Sequence, residues 1–113
     1  MYQDKVVLCA SSAYEKKFWM NDDFKALPEQ IKQELKIMCV LYTEDVGGVL
    51  SLEFDEDGQL DFQVTSDEGD YLYDEIGSVL KIKELQRTKA ELLEAIELYY
   101  KVFFLNEDVS DLL

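Results

Sequence analysis

Seven carboxylates in two short segments are the residues whose type and spacing could form a chemical site. They are Glu44, Asp45, Asp67, Glu68, Asp70, Asp74 and Glu75. Hard cations such as calcium and magnesium prefer several oxygen ligands, so the sequence predicts a divalent-cation site if the two segments meet in space. The nearby pattern Asp55-x-Asp57-Gly58 does not complete an EF-hand loop, because the third acid and the closing glutamate are missing.

The same acids also have a structural interpretation. Asp70 and Asp74 precede a predicted helix, where a carboxylate caps the first turn and faces the positive end of the helix dipole. Glu44 and Asp45 have no such role, since they lie at the negative end of the preceding helix. The sequence therefore leaves three roles open for these acids: a cation site, a helix start or solvated surface, and a protein-binding patch.

Histidine is absent from the chain, and this excludes most catalytic and metal chemistry. Serine and cysteine nucleophile systems use histidine as a base, and many zinc and iron sites use it as a ligand. Cys9 and Cys39 are too few for a tetrahedral thiolate site, and we expect them to be free, buried thiols. No phosphate-binding or dinucleotide-binding glycine motif occurs. We expect neither a cofactor nor an enzymatic activity.

The charge balance limits the partners of this protein. Twenty-five acidic residues against eleven basic ones give a formal net charge of −14. Such a surface repels nucleic acid phosphates and anionic lipid headgroups, so neither nucleic acid nor a membrane is an expected partner. No signal peptide is visible, and no apolar run reaches the roughly 20 residues of a membrane span. The sequence predicts a cytoplasmic protein, with a basic protein or a second copy of the chain as its partner.

Residues 92–105 form an aromatic segment that is apolar at 11 of its 14 positions. A helix with this composition is apolar nearly all round, and a two-layer domain covers only one of its sides. We therefore predict an exposed patch that serves as a homodimer or partner interface. Its residues are Leu92, Ile96, Tyr99, Tyr100, Phe103 and Phe104. The alternative is that an amino-terminal hairpin covers the second side of the helix.

Hydrophobic periodicity predicts four strands and two helices. The predicted elements are strands over 5–10 and 14–20, a helix from Pro28 to Gly47, strands over Val49–Phe54 and Leu60–Thr65, and a long helix from 71 or 74 to 105. The segment 12–18 has a rival interpretation as a short helix, because Ser12 and Glu15 fit a capping box. In the long helix, Lys89 is the single lapse in an apolar heptad position.

The order of these elements predicts a two-layer α+β fold. Its sheet is antiparallel, the order is ββαββα, and a helix follows each hairpin. Residues 1–113 are expected to form a single domain, with 106–113 as a frayed acidic tail.

Three segments carry a resemblance to a known family. They are residues 41–54 (LYTEDVGGVLSLEF), 67–78 (DEGDYLYDEIGS) and 99–104 (YYKVFF). With these segments the chain resembles a family of small acidic bacterial proteins of unknown function. The resemblance spans nearly the whole chain and implies no activity, cofactor or site residue.

The leading functional hypothesis is a non-enzymatic interaction module that self-associates through the carboxy-terminal aromatic helix. The first alternative is an acidic inhibitor, chaperone or immunity-type protein that caps a basic partner, with carboxylates steering the association. The second alternative is a domain that binds a divalent cation through the seven acids above.

Overall fold

Four strands form one antiparallel sheet in a computed structural model that describes residues 5–106. The strands are β1 Val6–Ser12, β2 Lys17–Met20, β3 Val49–Phe54 and β4 Leu60–Thr65, and they lie in the order β2-β1-β3-β4. The predicted α+β class is confirmed. Residues 1–4 lie outside the described part of the chain. The predicted acidic tail, residues 106–113, also lies outside it, apart from its first residue, Asn106.

The amino-terminal hairpin is confirmed, and the rival short helix is not formed. Ser12 Oγ accepts the backbone N–H of Glu15 over 3.2 Å, which is the bond that a helix-capping serine would make. Here the bond closes the turn between β1 and β2. Serine hydroxyls make the same local bond in turns and at helix starts, which is why the sequence fits both interpretations.

Sheet register separates a covered face from an open one. In β3, Leu50, Leu52 and Phe54 are fully buried beneath the helices, as the alternating pattern predicts. The open face carries the neighbours of these residues; Trp19 of β2 lies there, opposite Ala10 of β1. The order of the strands follows from the register of β1, which pairs with both β2 and β3.

Three helices form the second layer: α1 Glu29–Val46, α2 Glu75–Thr88 and α3 Ala90–Phe103. A short 3-10 turn over Asp22–Phe24 connects β2 to α1. The predicted stripe of α1 faces the sheet, with Leu35, Met38 and Tyr42 buried. None of the helices in the described part of the chain is long and apolar enough to cross a membrane.

Gly48 brings the end of α1 close to the end of β4. Its φ is +73°, in the left-handed region that favours glycine, and an added Cβ would lie 2.6 Å from the Thr65 carbonyl oxygen. Only glycine fits this position without displacing the backbone. The turn after α1 is therefore packed against the loop that follows β4.

The single long carboxy-terminal helix of the prediction is divided at Lys89 into α2 and α3, and it starts at Glu75. At Lys89, φ is −109° and ψ is 20°, outside helical values. The division lets the two halves pack against different partners. In α2, Ser78 contacts Tyr42 of α1, whereas Tyr100 of α3 stacks on Phe54 of the sheet. One lysine in an apolar heptad position thus marks the end of a helix.

An aromatic cluster fills the core between α3 and the sheet. Tyr100 lies 4.0 Å from Phe54 between ring centroids, and Phe24 stacks on both Phe54 and Phe104. The carboxylate of Glu97 accepts the backbone N–H of Leu60 over 2.8 Å, which attaches α3 to the start of β4. Such stacked pairs add to the free energy gained by burying their area.

The two cysteines are free and fully buried, as predicted. Cys9 of β1 faces Cys39 of α1, with 3.9 Å between their sulfur atoms. The hydrogen bond to Cys39, reinforced by burial, raises the pKa of the Cys9 thiol well above its ordinary value. This thiol is therefore protonated at neutral pH.

Candidate functional site

The seven acids of the predicted cation site have separate roles in the structure. Asp74 caps α2, accepting the backbone N–H of Gly77 over 2.8 Å, and Asp45 pairs with Lys81 over 3.5 Å. Asp70 accepts the hydroxyl of Tyr14 and the backbone N–H of Leu72. Among residues 5–106, no three or more acidic or cysteine side chains are placed to hold a metal ion. The remaining acids are exposed; they are Glu44, Asp67, Glu68 and Glu75.

Tyr14 fastens the loop between β4 and α2 to the amino-terminal hairpin. Its hydroxyl donates to the Asp70 carboxylate and accepts the backbone N–H of Asp67 over 2.9 Å. The bond to Asp70 raises the pKa of Tyr14, and the bond from Tyr14 lowers the pKa of Asp70. The carboxylate of Asp70, one of the predicted cation ligands, therefore helps to hold the loop in place, and Asp67 does so through its backbone N–H.

The predicted interface on α3 lies largely inside the chain. Ile96 and Tyr100 are buried in the core, and Leu92, Tyr99 and Phe104 pack against that core and are partly buried. Phe103 is 67% exposed, the most exposed of the six. Phe24 adds to this enclosure, with its ring 4.7 Å from that of Phe104 and 6.2 Å from that of Tyr100. Phe24 belongs to the 3-10 turn that follows the amino-terminal hairpin. The alternative prediction assigns this covering role to the hairpin itself.

Exposed apolar side chains cluster instead on the outer sides of α1 and α2 and on the loop before α2. We call this surface the outer apolar face; it consists of Ile37, Leu41, Tyr71, Leu72, Ile76, Val79 and Leu80. Tyr71 is 97% exposed, Leu72 is 92% exposed and Ile76 is 76% exposed. Side chains of this type normally lose most of their exposure on folding.

Two hydrogen bonds align α1 and α2 antiparallel. The backbone N–H of Asp74 donates to the Val46 carbonyl over 3.2 Å, where α1 ends and α2 begins. Tyr42 hydrogen-bonds Ser78 one turn further, and burial raises the pKa of Tyr42. Residues adjacent to Tyr42 and Ser78 therefore lie at the same level of the helix pair.

The sequence carried a signal for this surface. Ile37 and Leu41 are four residues apart but off the buried stripe of α1, and Leu72, Ile76 and Leu80 repeat at the same spacing. The buried stripe of α1 was enough to predict the helix and its covered side, so Ile37 and Leu41 were not needed to explain it. Only the positions of the neighbouring elements show that nothing else in the described chain covers these residues.

Acidic side chains accompany the outer apolar face along the sequence. The segments 34–45 and 67–84, which contain it, hold nine acids against three lysines. The acids are Glu34, Glu44, Asp45, Asp67, Glu68, Asp70, Asp74, Glu75 and Glu84; the lysines are Lys36, Lys81 and Lys83. Lys81 is already paired, with Asp45 and with Glu84. The segments that carry the outer apolar face are therefore strongly negative.

A second feature is an open cleft of about 810 Å³ beside the outer apolar face. We call it the hairpin cleft; it is lined by the end of the β1–β2 hairpin, the carboxy-terminal half of α1 and the loop that Tyr14 fastens. Lys16, Lys17 and Lys36 line it, together with the apolar side chains of Phe18 and Val40. No sequence pattern indicates this cleft, because its lysines come from the hairpin and from α1.

Comparisons with known proteins identify a family without assigning a role. Residues 5–108 match the sequence profile of a family described as a family of unknown function, DUF6145. No curated protein and no solved structure matches the chain. The surfaces described above are therefore the basis for any statement about function.

Proposed function

Since the chain belongs to DUF6145, a family of unknown function, we propose its role from its own surface. It is a non-catalytic protein-binding domain whose outer apolar face takes a basic, amphipathic segment of a partner protein. The observation that carries this proposal is the set of large apolar side chains left exposed on α1, on α2 and on the loop before α2.

The free energy available from covering this face is large. Full burial of one leucine or isoleucine side chain contributes about 1.5–3 kcal/mol. Tyr71, Leu72 and Ile76 are nearly as exposed as in an unfolded chain, so a partner would gain close to this amount at each. Exposed apolar patches on a monomer are typical of interaction sites. Leu72, Ile76 and Leu80 repeat at a spacing of four residues, which suits an apolar helix lying along the exposed side of α2.

Charge favours a basic partner over a second copy. A second copy would bring its own nine acids against those of the first, and two chains of formal charge −14 repel each other at low salt. A segment with apolar residues on one side and lysine or arginine at its edges matches both the apolar residues and the acids of these segments. Aromatic α3, the predicted site of self-association, offers less free surface, because Ile96 and Tyr100 are already buried.

The proposal of a non-catalytic role rests on the same residues that the sequence singled out. Cys9 is buried and its raised pKa keeps it as a thiol, so it is a poor nucleophile. The chain has no histidine to act as a general base at neutral pH. Turnover of ester, phosphoester or peptide substrates that copurifies with the chain would contradict this part of the proposal.

A defined peptide tests the docking surface. The probe is a synthetic helix with leucine on one side and lysine on the other, and its fluorescence anisotropy is measured with the protein at about 0.05 M and about 0.5 M salt. We expect saturable binding that weakens with salt, and a loss of about fivefold or more for Ile76→Ser and for Leu80→Ser, since a central interface residue contributes over about 1 kcal/mol.

Two controls make this result specific. Phe103→Ser removes an exposed apolar side chain outside the face and should leave peptide affinity unchanged. A scrambled peptide of the same composition should bind weakly, because its leucines no longer share one side. Equal affinity for wild type and the Ile76 and Leu80 variants would overturn the proposed surface. A dimer in sedimentation that dissociates in those variants would show that a second copy is the occupant.

A further inference from the structure

We propose that the outer edge of β4 pairs with the β4 edge of a second copy of this chain and joins the two sheets into one. This inference does not rest on the docking function proposed above, since β4 carries none of the residues of the outer apolar face. In the sheet of residues 5–106, β4 stands at one end of the strand order, with β3 beside it. Edge strands present unpaired backbone groups, with which another chain can form a ladder.

The ladder between β3 and β4 fixes which backbone groups of β4 face outwards. At the hairpin, the N–H of Asp55 donates to the Gln59 carbonyl over 2.9 Å, and alternate residues after Gln59 continue this ladder. The residues between them direct their N–H and C=O groups away from β3. The N–H of Leu60 shows this direction, because it donates to Glu97 of α3 over 2.8 Å. The outward residues of β4 are Leu60, Phe62 and Val64.

Phe62 and Val64 leave four backbone groups open on this edge. In the described part of the chain, neither residue forms a backbone hydrogen bond beyond the sheet ladders. The loop after β4 turns away from the edge, because the N–H of Asp67 donates to the hydroxyl of Tyr14 in the amino-terminal hairpin. The open groups are therefore a N–H and a C=O at each of two positions, spaced as a strand partner requires.

The two edges of the sheet are protected differently. β2 has four residues and carries Lys17, and a short strand with a lysine is a common protection against edge pairing. β4 has six residues, contains neither proline nor lysine, and pairs with β3 without a bulge. Pairing of β4 with its copy covers both unprotected edges and leaves the two protected β2 strands at the ends of the joined sheet. Such a two-fold contact closes on itself.

One antiparallel register satisfies the open groups of both copies. With Gln63 on the two-fold axis, Phe62 of each chain lies opposite Val64 of the other and exchanges both backbone hydrogen bonds with it. This register spares Leu60, whose N–H is already bonded to Glu97. Phe62 and Val64 are partly buried against the core, and an aromatic residue opposite a β-branched one is a favourable cross-strand pair.

Charge opposes this contact through the whole chain rather than through β4 itself. β4 contains one acid, Asp61, which is paired with Lys5 over 3.7 Å. The register places Asp61 opposite Thr65 of the second copy, so no two acids of the strands face each other. Repulsion between two chains of formal charge −14 is long-range, and salt screens it. Self-association should therefore strengthen with salt, whereas peptide docking weakens.

Sedimentation velocity and amide exchange test the pairing together. Because a small contact gives weak association, the measurements cover about 20 µM to about 1 mM protein at about 0.05 M and about 0.5 M salt. We expect a dimer that is favoured by protein and by salt. As it forms, exchange should slow at the amides of Phe62 and Val64 and stay unchanged at Leu60. A monomer under all these conditions, or protection of the two amides that does not depend on protein concentration, would overturn the proposal.

Charge substitutions at Gln63 test the register. Gln63→Lys and Gln63→Glu each place like charges opposite each other across the two-fold axis, so each variant alone should self-associate about fivefold more weakly. An equimolar mixture of the two should regain at least the wild-type affinity as a heterodimer. Gln63 is exposed, so both variants should keep the stability of the fold. Unchanged self-association in both variants, or no gain on mixing, would overturn the proposed pairing.

Matched substitutions compare the two edges. Val64→Pro removes an outward N–H without removing a bond to β3, and it should weaken self-association about tenfold or more, since two of the four bonds are lost. Lys17→Gln changes the other edge and should leave self-association unchanged. Circular dichroism checks that Val64→Pro is folded; if it is not, the Gln63 variants decide. Equal dimers in Val64→Pro and Lys17→Gln would place the contact elsewhere.

The variants of the outer apolar face separate this proposal from the docking function. Ile76→Ser with Leu80→Ser should retain the β4 dimer, and Val64→Pro should retain peptide docking. Failure of peptide docking with an intact dimer would therefore count against the proposed function alone. Peptide docking with no dimer would count against the β4 pairing alone. A dimer lost in the Ile76 and Leu80 variants would place the second copy on the outer apolar face and overturn the pairing through β4.

Discussion

Helix α3 and the α1–α2 pair both carry more apolar side chains than one buried stripe requires, and they place them differently. In α3, Phe24 and Phe54 approach from the turn and the sheet, so Tyr100 and Phe104 are enclosed by partners from the same chain. On the outer sides of α1 and α2, residues such as Leu41 and Ile76 meet no such partner. The apolar content of a helix does not locate a docking surface; the elements packed around it do.

The largest expected change in the free energy of unfolding is in α3. Substitution of one buried and one exposed aromatic residue compares the two sides of this helix. Tyr100→Ala should lower the free energy of unfolding by about 3–5 kcal/mol, because it empties the centre of the aromatic cluster. Phe103→Ala, three residues away and 67% exposed, should change it by less than about 0.5 kcal/mol. Urea denaturation followed by circular dichroism measures both. Similar losses for the two variants would mean that Phe103 is also enclosed.

The same comparison within α1 uses one residue type. Leu35→Ala removes a fully buried side chain and should cost about 2–5 kcal/mol. Leu41→Ala lies on the outer apolar face, 53% exposed, and should cost less than about 0.5 kcal/mol. In the peptide assay the order reverses, since Leu41→Ala weakens docking. A large stability loss for Leu41→Ala would show that the face is covered by the chain itself.

A smaller effect is expected at the start of α2, which carries three of the seven residues of the outer apolar face. Asp74→Ala removes the side chain that caps the helix and should cost about 1 kcal/mol. Asp74→Asn keeps an oxygen acceptor for the Gly77 N–H and should retain most of that stability. Chemical denaturation of the two variants side by side measures the cap. A loss in Asp74→Asn equal to that in Asp74→Ala would assign the effect to charge.

The smallest effect is expected where Tyr14 fastens the loop that carries Tyr71 and Leu72. The folded state lowers the pKa of Asp70, so this contact stabilises the fold above the ordinary pKa of an aspartate. Its contribution is lost as the pH falls through the lowered pKa of Asp70. It also disappears as the pH rises through the raised pKa of Tyr14. Amide exchange in residues 66–73 should be faster in Tyr14→Phe than in wild type at neutral pH. The difference should shrink in acid to the part contributed by the bond from the Asp67 N–H. If the difference in exchange rate between Tyr14→Phe and wild type stayed constant as the pH fell, the Asp70 carboxylate would not contribute to holding the loop.

The strands were predictable from local pattern, whereas the division of the last helix was not. In β3 the alternation of Leu50 and Leu52 with polar neighbours fixes both the strand and its covered face. At Lys89 the sequence offers a single lapse, which a continuous helix on a protein surface also tolerates. The difference lies in what each half packs against, and that depends on Tyr42 and Phe54, which are distant in sequence.

The candidate surfaces were less predictable than the fold. The side of α3 that is buried depends on Phe24, in a short turn with no periodic signal. The hairpin cleft brings Lys16 and Lys36 together only because α1 packs on β1. Acids near Asp74 had three interpretations, and the cap bond to Gly77 now accounts for that residue. Patterns within an element predict its burial well, while surfaces built from several elements need the tertiary structure.

Trp19 is the one tryptophan of the chain, 53% exposed on the sheet face away from the helices. Intrinsic fluorescence of this protein is thus the emission of a half-hydrated indole on a hairpin. Unfolding changes the environment of that indole little, so emission wavelength is a weak reporter of the aromatic core. A molecule that settles on the open sheet face shifts the emission to the blue, whereas one that docks on α1 and α2 leaves it unchanged. The chain therefore carries a natural optical label that reports which of its two sides is occupied.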